Sequence, residues 1–528
     1  GASELLESLT PKLVDEVLAA LGRARGRDLR FSRAAGGAVY LFADDAGIRD
    51  EFRDLWSIAV RQYAPGLEFV LVTGDGASDY DAYEDAQKHM HAARNRQPPL
   101  LPAGTPVTCY ASRTGEPAVS SHAKLGLQDQ ATTRFGRDEF WRHPLDGLTA
   151  RFSAALSADD WPRNLDYDPE DPDNAEFPFL QDNRYLALLH ADGNGLGQIL
   201  IELQKYAEAN PDRFVPLFWD FSQAVSGATV AAARGASDAV LLPVRQPAAD
   251  DGPGASNRLI PARPIVLGGD DLTILLRADL ALPFARAFLT RFEAESEARL
   301  TEVRAKHPGA AQALPERLTA GGGIAFVKSN HPFHLAHELA EAIAKRAKDQ
   351  AKAVKSDTGR IPPTLAFHRV TSAFHGDFKS ILDTEMTAGA EGARVQTTLV
   401  AYGLDADGGG LPALADVEAL VALLRDDDLA RGPARQLLTL IGQDHDEAAR
   451  RYRRWQEVMR TYAPKSGKTH PLDEMQSLLG RLCGELADDL PVAKHGTPRR
   501  TPLGDVTTLL AVAQGAEHDK TAIEPEAE

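Results

Sequence analysis

The chain has 528 residues, of which 43% are hydrophobic and 25% charged, and its formal net charge is −18. That is length for roughly three or four domains of an ordinary globular protein. No apolar run reaches the roughly 18 residues that a membrane-spanning helix needs, and no membrane partner is expected. The acidic balance argues against a surface that tracks nucleic acid throughout. Two cysteines, Cys109 and Cys483, give no disulfide framework, so a reducing cytoplasmic setting is expected.

In chain order, residues 28–95 carry a glycine tip, Gly36-Gly37-Ala38, with no acid pair beside it. Asp44-Asp45 lies beyond it and reads as the N-cap of a helix. The segment PVTCYASRTGEPAV follows, with Cys109 and, three residues on, Ser112. A tetrahedral zinc site needs four ligands, so one cysteine here and one far along the chain predict no stoichiometric zinc. Asp159 to Phe179, rich in Pro, Asp and Asn, reads as a linker.

Tyr185 to His190 is an apolar strand that runs into Ala191-Asp192-Gly193-Asn194-Gly195-Leu196-Gly197, and an amphipathic helix with Ile199, Leu200 and Leu203 follows. A strand ending in Asp, then a glycine-rich turn and a helix N-terminus, suits a cation on the carboxylate and phosphates on the free N–H groups. Gln246 to Asn257 is a polar loop. Ile265 to Leu267 then enters Gly268-Gly269-Asp270-Asp271, and Leu272 to Leu276 leaves it. This predicts a β-hairpin with glycines at the bend and two carboxylates at the tip. Adjacent carboxylates repel unless a cation lies between them, which suits Mg²⁺ or Mn²⁺. Each motif alone also fits an ordinary polar turn. Together they make the pattern of a palm domain, where acids from neighbouring strands hold two metals about 3.5–4 Å apart on a nucleoside triphosphate.

After the hairpin, Leu280 to Leu300 reads as a helix, Leu318 to Val327 as a core strand begun by glycines, and Pro332 to Lys355 as a helix. The last carries Lys345, Arg346, Lys348, Lys352 and Lys355, a basic stretch suited to phosphates but also to solvent. His331, His334 and His337 are spaced by three at its start and read as histidines near the nucleotide. Ala388 to Pro412 is rich in Gly, Asp and Ala and leads into a helical region, 413–515, with an acidic, disordered tail from Ala516. His445-Asp446 and His518-Asp519 are the only His-Asp pairs and read as exposed. No Gly-x-Ser-x-Gly, Walker A or Rossmann fingerprint is present, which counts against a serine hydrolase or P-loop ATPase.

ADGNGLG, GGDD, the AGGGIAFVKSNHPFHLAHELAEAIAKRAK stretch and LAFHRV resemble, over about residues 181–372, the cyclase palm of the large subunit of type III CRISPR effector complexes, of Csm/Cmr type. The resemblance implies an α+β fold with two ferredoxin-like palms: a first palm without a metal motif (1–105), a degenerate zinc-ribbon-like region (106–180), the GGDD palm (181–372), a helical domain (373–515) and a tail (516–528). In the ribbon strand, Ser112 stands at the second cysteine of Cys-x-x-Cys. The implied activity is conversion of ATP to cyclic oligoadenylates. Asp192, Asp270 and Asp271 would be catalytic, and these three with Gly193 would hold two Mg²⁺ or Mn²⁺ ions. Asn194, Gly195, Leu196, Gly197, Gly268, Gly269, Lys348 and, second, Lys345 would contact the nucleotide. Guide RNA, target RNA and small helical and backbone subunits would be partners. Asn194 stands where the family carries a second acid, so weaker metal binding is expected. No HD nuclease motif accompanies the palms, and the opening Gly1-Ala2-Ser3 reads as an expression scar. Two other readings stay open: a scaffold subunit with weak or lost catalysis, and a palm making a different nucleotide product.

Overall fold

The computed structural model describes residues 9–96, 107–123, 126–135, 147–162, 185–245, 260–354, 359–371, 377–389, 394–406, 408–426, 432–462, 469–487, 489–496 and 498–513. Nearly all of the linker from Asp159 to Phe179 lies outside them, as do the 246–257 loop, Lys355, His518 and the tail.

The first unit holds α1 (Lys12–Ala20), β1 (Arg30–Ala35), β2 (Ala38–Phe42), α2 (Ala46–Tyr63) and α3 (Asp79–Arg94), with β1 and β2 antiparallel. Asp45 caps α2 as its sequence suggests, accepting from the Gly47 N–H at 2.7 Å, while Asp44 pairs with Arg30 at 2.8 Å. Leu67 and Phe69 of the following apolar run pack on the core of α1 and α2, but the run is not a strand. Among the described residues this unit therefore has two paired strands, where a complete ferredoxin-like palm has four. Beyond it, β3 (Ala118–His122) and β4 (Gly126–Asp129) form a hairpin.

The central sheet is built by β5 (Tyr185–Gly193), β6 (Ala262–Gly268), β7 (Asp271–Arg277), β8 (Ala320–Lys328), β9 (Thr364–Arg369) and β10 (Ala401–Gly403). Its order is β10-β9-β8-β5-β7-β6. Four of these strands, with α4 (Leu196–Ala209) and α5 (Phe214–Ala236) between β5 and β6 and α6 (Ala278–Lys306) between β7 and β8, make an antiparallel β8-β5-β7-β6 core. That is the 4-1-3-2 order of a ferredoxin-like palm. Strand alternation sorts the side chains. Ala187, Leu189 and Ala191 of β5 join Phe284, Phe288 and Phe292 of α6 in one core. Leu186 and Leu188 join Ala336, Ala340 and Ile343 of α7 (Phe333–Ala353) in another, on the opposite face.

Glycines bring α7 down onto that second face. A Cβ on Gly323 would stand 2.4 Å from the Ala340 carbonyl oxygen and from the Ala344 nitrogen, so only glycine allows this approach. The first unit leans on α5, where Phe42 meets Phe214 edge-on at 5.7 Å.

Among the described residues five helices follow toward the C-terminus: α8 (Leu414–Leu424), α9 (Gly432–Gln443), α10 (His445–Thr461), α11 (Pro471–Cys483) and α12 (Leu503–Ala513). Buried Asp505 of α12 accepts hydrogen bonds from Thr398 Oγ1 at 2.7 Å, Leu399 N at 2.9 Å and Tyr402 Oη at 2.6 Å. Burial raises its pKa to about 6 despite these donors. Between them Val400 takes φ +74°, a costly conformation for a β-branched residue, which the surrounding network holds in place. No described helix is long and apolar enough to cross a membrane.

Candidate active site

The site lies on the α7 face of the sheet, at the ends of β5 and β7. Because side chains alternate, His190 and Asp192 of β5 share this face with Asp271 and Thr273 of β7. His190 pairs across with Thr273 on one side and Gly323 on the other, and Asp192 pairs with Gly321. The GGDD segment is a tight hairpin. Gly268 pairs with Asp271 across a two-residue turn, Gly269-Asp270, and Gly269 has φ +61°. Glycine at the first central position is what a type II′ hairpin turn selects. The buried Thr229 hydroxyl of α5 donates to the Gly269 carbonyl at 2.7 Å and holds the tip.

The fold brings Asp192, Gly193, Asp270 and Asp271 together. The Gly193 N–H donates to Asp270 Oδ2 at 3.2 Å. A Cβ on Gly193 would come within 2.9 Å of the same oxygen, so the strand end and the hairpin tip touch only because this residue is glycine. Lys348 reaches in from α7, its ammonium 2.5 Å from Asp192 Oδ2 and 2.6 Å from the Gly193 carbonyl. Gly321 makes room, since a Cβ there would meet Lys348 Cγ at 2.5 Å.

Electrostatics divide the three acids. Burial raises Asp270 to about 7, helped by the hydrogen bond and negative charge of Asp192. Burial likewise raises Asp271 to about 7, with the charges of Asp192, Asp270 and Glu341 adding to it. Burial also works to raise Asp192, but its hydrogen bonds with Asp270 and Lys348 prevail and hold it below the ordinary value.

A divalent cation fits this donor set. Three carboxylates and the Gly193 carbonyl are hard oxygen ligands of the kind Mg²⁺ and Mn²⁺ take. Asp271 Oδ1 and Asn194 Oδ1 are buried side-chain oxygens that accept no hydrogen bond, and two carboxyls near neutral pH have negative charge to be balanced.

The remaining predicted residues fall differently. Asn194 is buried, and its amide is used as a clamp: Nδ2 donates to Thr319 Oγ1 at 3.1 Å and to the Pro362 carbonyl at 3.4 Å. Gly195 takes φ +70° and begins α4, whose first turn presents the N–H groups of Leu196 and Gly197 without helical partners. Gly197 is exposed, with open space where a side chain would stand. Lys345 is exposed on α7 and is not brought to the carboxylates by any described contact. The histidine triple at spacing three is not what the fold assembles. His337 instead meets His190 of β5 and Glu341, one helical turn on. His190 was two residues before Asp192 and thus on its face of the strand, which was the available signal. His445 is exposed and bonds to Asp489 at 2.7 Å. Cys109 is exposed and Cys483 half-buried, both free thiols.

Residues 185–355 match the second palm domain of Cas10/Cmr2. No curated protein matches the chain. Among solved structures, a Csm1–Csm4 cassette in complex with AMPPNP is 13% identical with a TM-score of 0.43, covering 96% of this chain and 65% of that one. A Csm1–Csm4 cassette in complex with cA4 is 12% identical with a TM-score of 0.41, covering 90% and 65%. Csm1 of T. onnurineus is 13% identical with a TM-score of 0.33, covering 97% and 65%. The chain thus spans 65% of the length of these structures.

Proposed function

We propose that this chain, whose residues 185–355 match the second palm domain of Cas10/Cmr2, is a type III CRISPR large subunit and a nucleotidyl cyclase that joins ATP into cyclic oligoadenylates. One observation carries the reading: Asp192, Asp270 and Asp271 converge at adjoining strand ends, with the Gly193 N–H fixing Asp270 and the Lys348 ammonium on Asp192. In the reaction a ribose 3′-hydroxyl attacks an α-phosphate, a new P–O bond forms, and the bond to pyrophosphate breaks. Asp192, Asp270, Asp271 and the Gly193 carbonyl would hold Mg²⁺ or Mn²⁺, which when bound acidifies the hydroxyl and offsets charge on the leaving group.

The chain's own groups do the rest. The first turn of α4, Gly195 to Gly197, offers N–H donors to phosphate oxygens. Gly268 and Gly269 leave room over the hairpin for the nucleotide. Lys348 exchanges its contact with Asp192 for a phosphate when triphosphate and cation arrive, and so balances charge in both states. Guide RNA, target RNA and smaller subunits are the partners this reading implies, with RNA reached through those subunits.

The test is to incubate the protein with each nucleoside triphosphate and Mn²⁺, with and without guide-bound target RNA, and resolve products by mass. Cyclic products from ATP support the reading. A product from another base, or a linear adenylated one, replaces it with a different palm chemistry. No product under any condition supports a scaffold subunit.

A further inference from the structure

Beside the carboxylates stands a second group of ligand-bearing side chains that the cyclase reading does not use. His190 comes from the central strand β5, and His337 and Glu341 come from α7. One ring nitrogen from each histidine and one Glu341 oxygen all lie within 4.8 Å of one another. The two imidazole rings are 6.1 Å apart, and His337 Nδ1 is 3.6 Å from Glu341 Oε2.

We propose that His190, His337 and Glu341 form a transition-metal site, bordering the Asp192–Asp270–Asp271 cluster at Asp271, that takes a borderline ion such as Zn²⁺ or Co²⁺ in preference to Mg²⁺; the expectation of no stoichiometric zinc weighed cysteine ligands alone, and this histidine set replaces it.

Ligand type argues for the ion. Two imidazoles and one carboxylate are the donors of His₂Glu zinc sites, whereas Mg²⁺ prefers an all-oxygen shell and sheds water reluctantly. Two neutral imidazoles and one carboxylate carry a single negative charge, which a divalent ion overcompensates. Three protein ligands leave further positions open.

Support around the ligands argues for a built site. His190 Nδ1 lies 3.1 Å from the hydroxyl of Thr273, a fully buried residue, and this contact fixes the ring as outer partners fix metal-binding histidines. His337 and Glu341 are spaced i, i+4 on a packed helix, so their separation is set by the backbone. The carboxylate next to His190 points the same way. Asp271 Oδ1 is buried, accepts no hydrogen bond and lies 3.3 Å from His190 Nδ1, so an uncompensated acceptor borders the site. Access exists as well, because side-chain exposure rises from 11% at His190 through 28% at His337 to 50% at Glu341.

The experiment is binding to the full chain after removal of metals by chelation. Co²⁺ is titrated in the presence of excess Mg²⁺ and followed by visible d–d absorption, and Zn²⁺ retained after gel filtration is counted by elemental analysis. The proposal expects one ion per chain that excess Mg²⁺ does not displace, with the absorption of a nitrogen-ligated ion. His337→Ala and Glu341→Gln, both on the solvent side of the site, should each weaken binding at least about tenfold, since losing even an outer partner costs about that much. Circular dichroism of these variants checks that the helix is intact. Asp192→Ala with Asp270→Ala should leave the ion bound. Failure to retain Co²⁺ or Zn²⁺ against Mg²⁺ overturns the proposal, and so does retention unchanged in His337→Ala. No nucleotide enters the assay, so its failure and failure of the cyclase reading are told apart.

Discussion

Asp270 and Asp271 each carry a carboxyl raised from 3.8 to about 7 by burial and neighbouring charge. Between those values the folded chain keeps protons that the unfolded chain has lost, so stability of the metal-free protein falls as pH rises across that window. A divalent cation competes for the same oxygens. Mn²⁺ affinity should therefore climb as pH rises toward 7 and level off above it, with protons released on binding. Calorimetry in two buffers of different ionisation enthalpy reads that release, and an affinity flat across neutral pH would contradict it. Asn194 gives a second expectation. Its Nδ2 donates to Thr319 Oγ1, whose own hydrogen goes to the Ile361 carbonyl at 2.7 Å, and to the Pro362 carbonyl. A carboxylate there would face acceptors, so Asn194→Asp should destabilise the fold by about 1–3 kcal/mol, seen as a lower Tm. An unchanged Tm would show that this clamp contributes nothing. Lys348→Ala should raise the ATP requirement about ten- to a hundredfold, whereas Lys345→Ala, at an exposed position, should not. Equal effects would mean that Lys348 does not turn from Asp192 to the phosphates. The acids were legible because Asp192 lies at the end of an apolar strand and Asp270 and Asp271 at a hairpin tip, all beside glycines. The clamp of Asn194 and the meeting of His190 with His337 were not, because their partners sit on elements distant in sequence.

At the scale of elements, the site depends on how closely α7 lies on the sheet. The sequence shows Gly321, Gly322 and Gly323 at the start of a strand, and strand and helix both occur where periodicity predicts them, within a residue or two. What periodicity lacks is the reason for the glycines, since that reason is the backbone of α7 rather than a local turn. Gly323→Ala should cost ~1–3 kcal/mol or more, because the obstructing atoms are main-chain atoms of Ala340 and Ala344. Denaturant unfolding measures it, and a neutral result would mean that the helix shifts away freely. At the apolar run 67–74 composition and structure part. Its composition suits a strand, but Leu67 and Phe69 pack on helices and the run is not a strand.

At the scale of the molecule, the palm is framed on both sides. The first unit packs its aromatic residues on α5, and the C-terminal helices are tied to β10 through Asp505, Thr398 and Tyr402. That frame holds the sheet whose strand ends carry the carboxylates, and the 4-1-3-2 order of that sheet comes from the pairing of β5 with both β7 and β8. The docking of the outer units was not readable, because it rests on a few aromatic contacts and one buried acid without a motif. The measurement that tests the central claim most directly compares the unaltered chain with Asp270→Ala/Asp271→Ala. Both are incubated with ATP and Mn²⁺ alongside guide-bound target RNA, products are resolved by mass, and circular dichroism confirms the fold. The expected result is cyclic oligoadenylate from the unaltered chain and none from a folded double variant. Equal synthesis by a folded double variant would contradict the account.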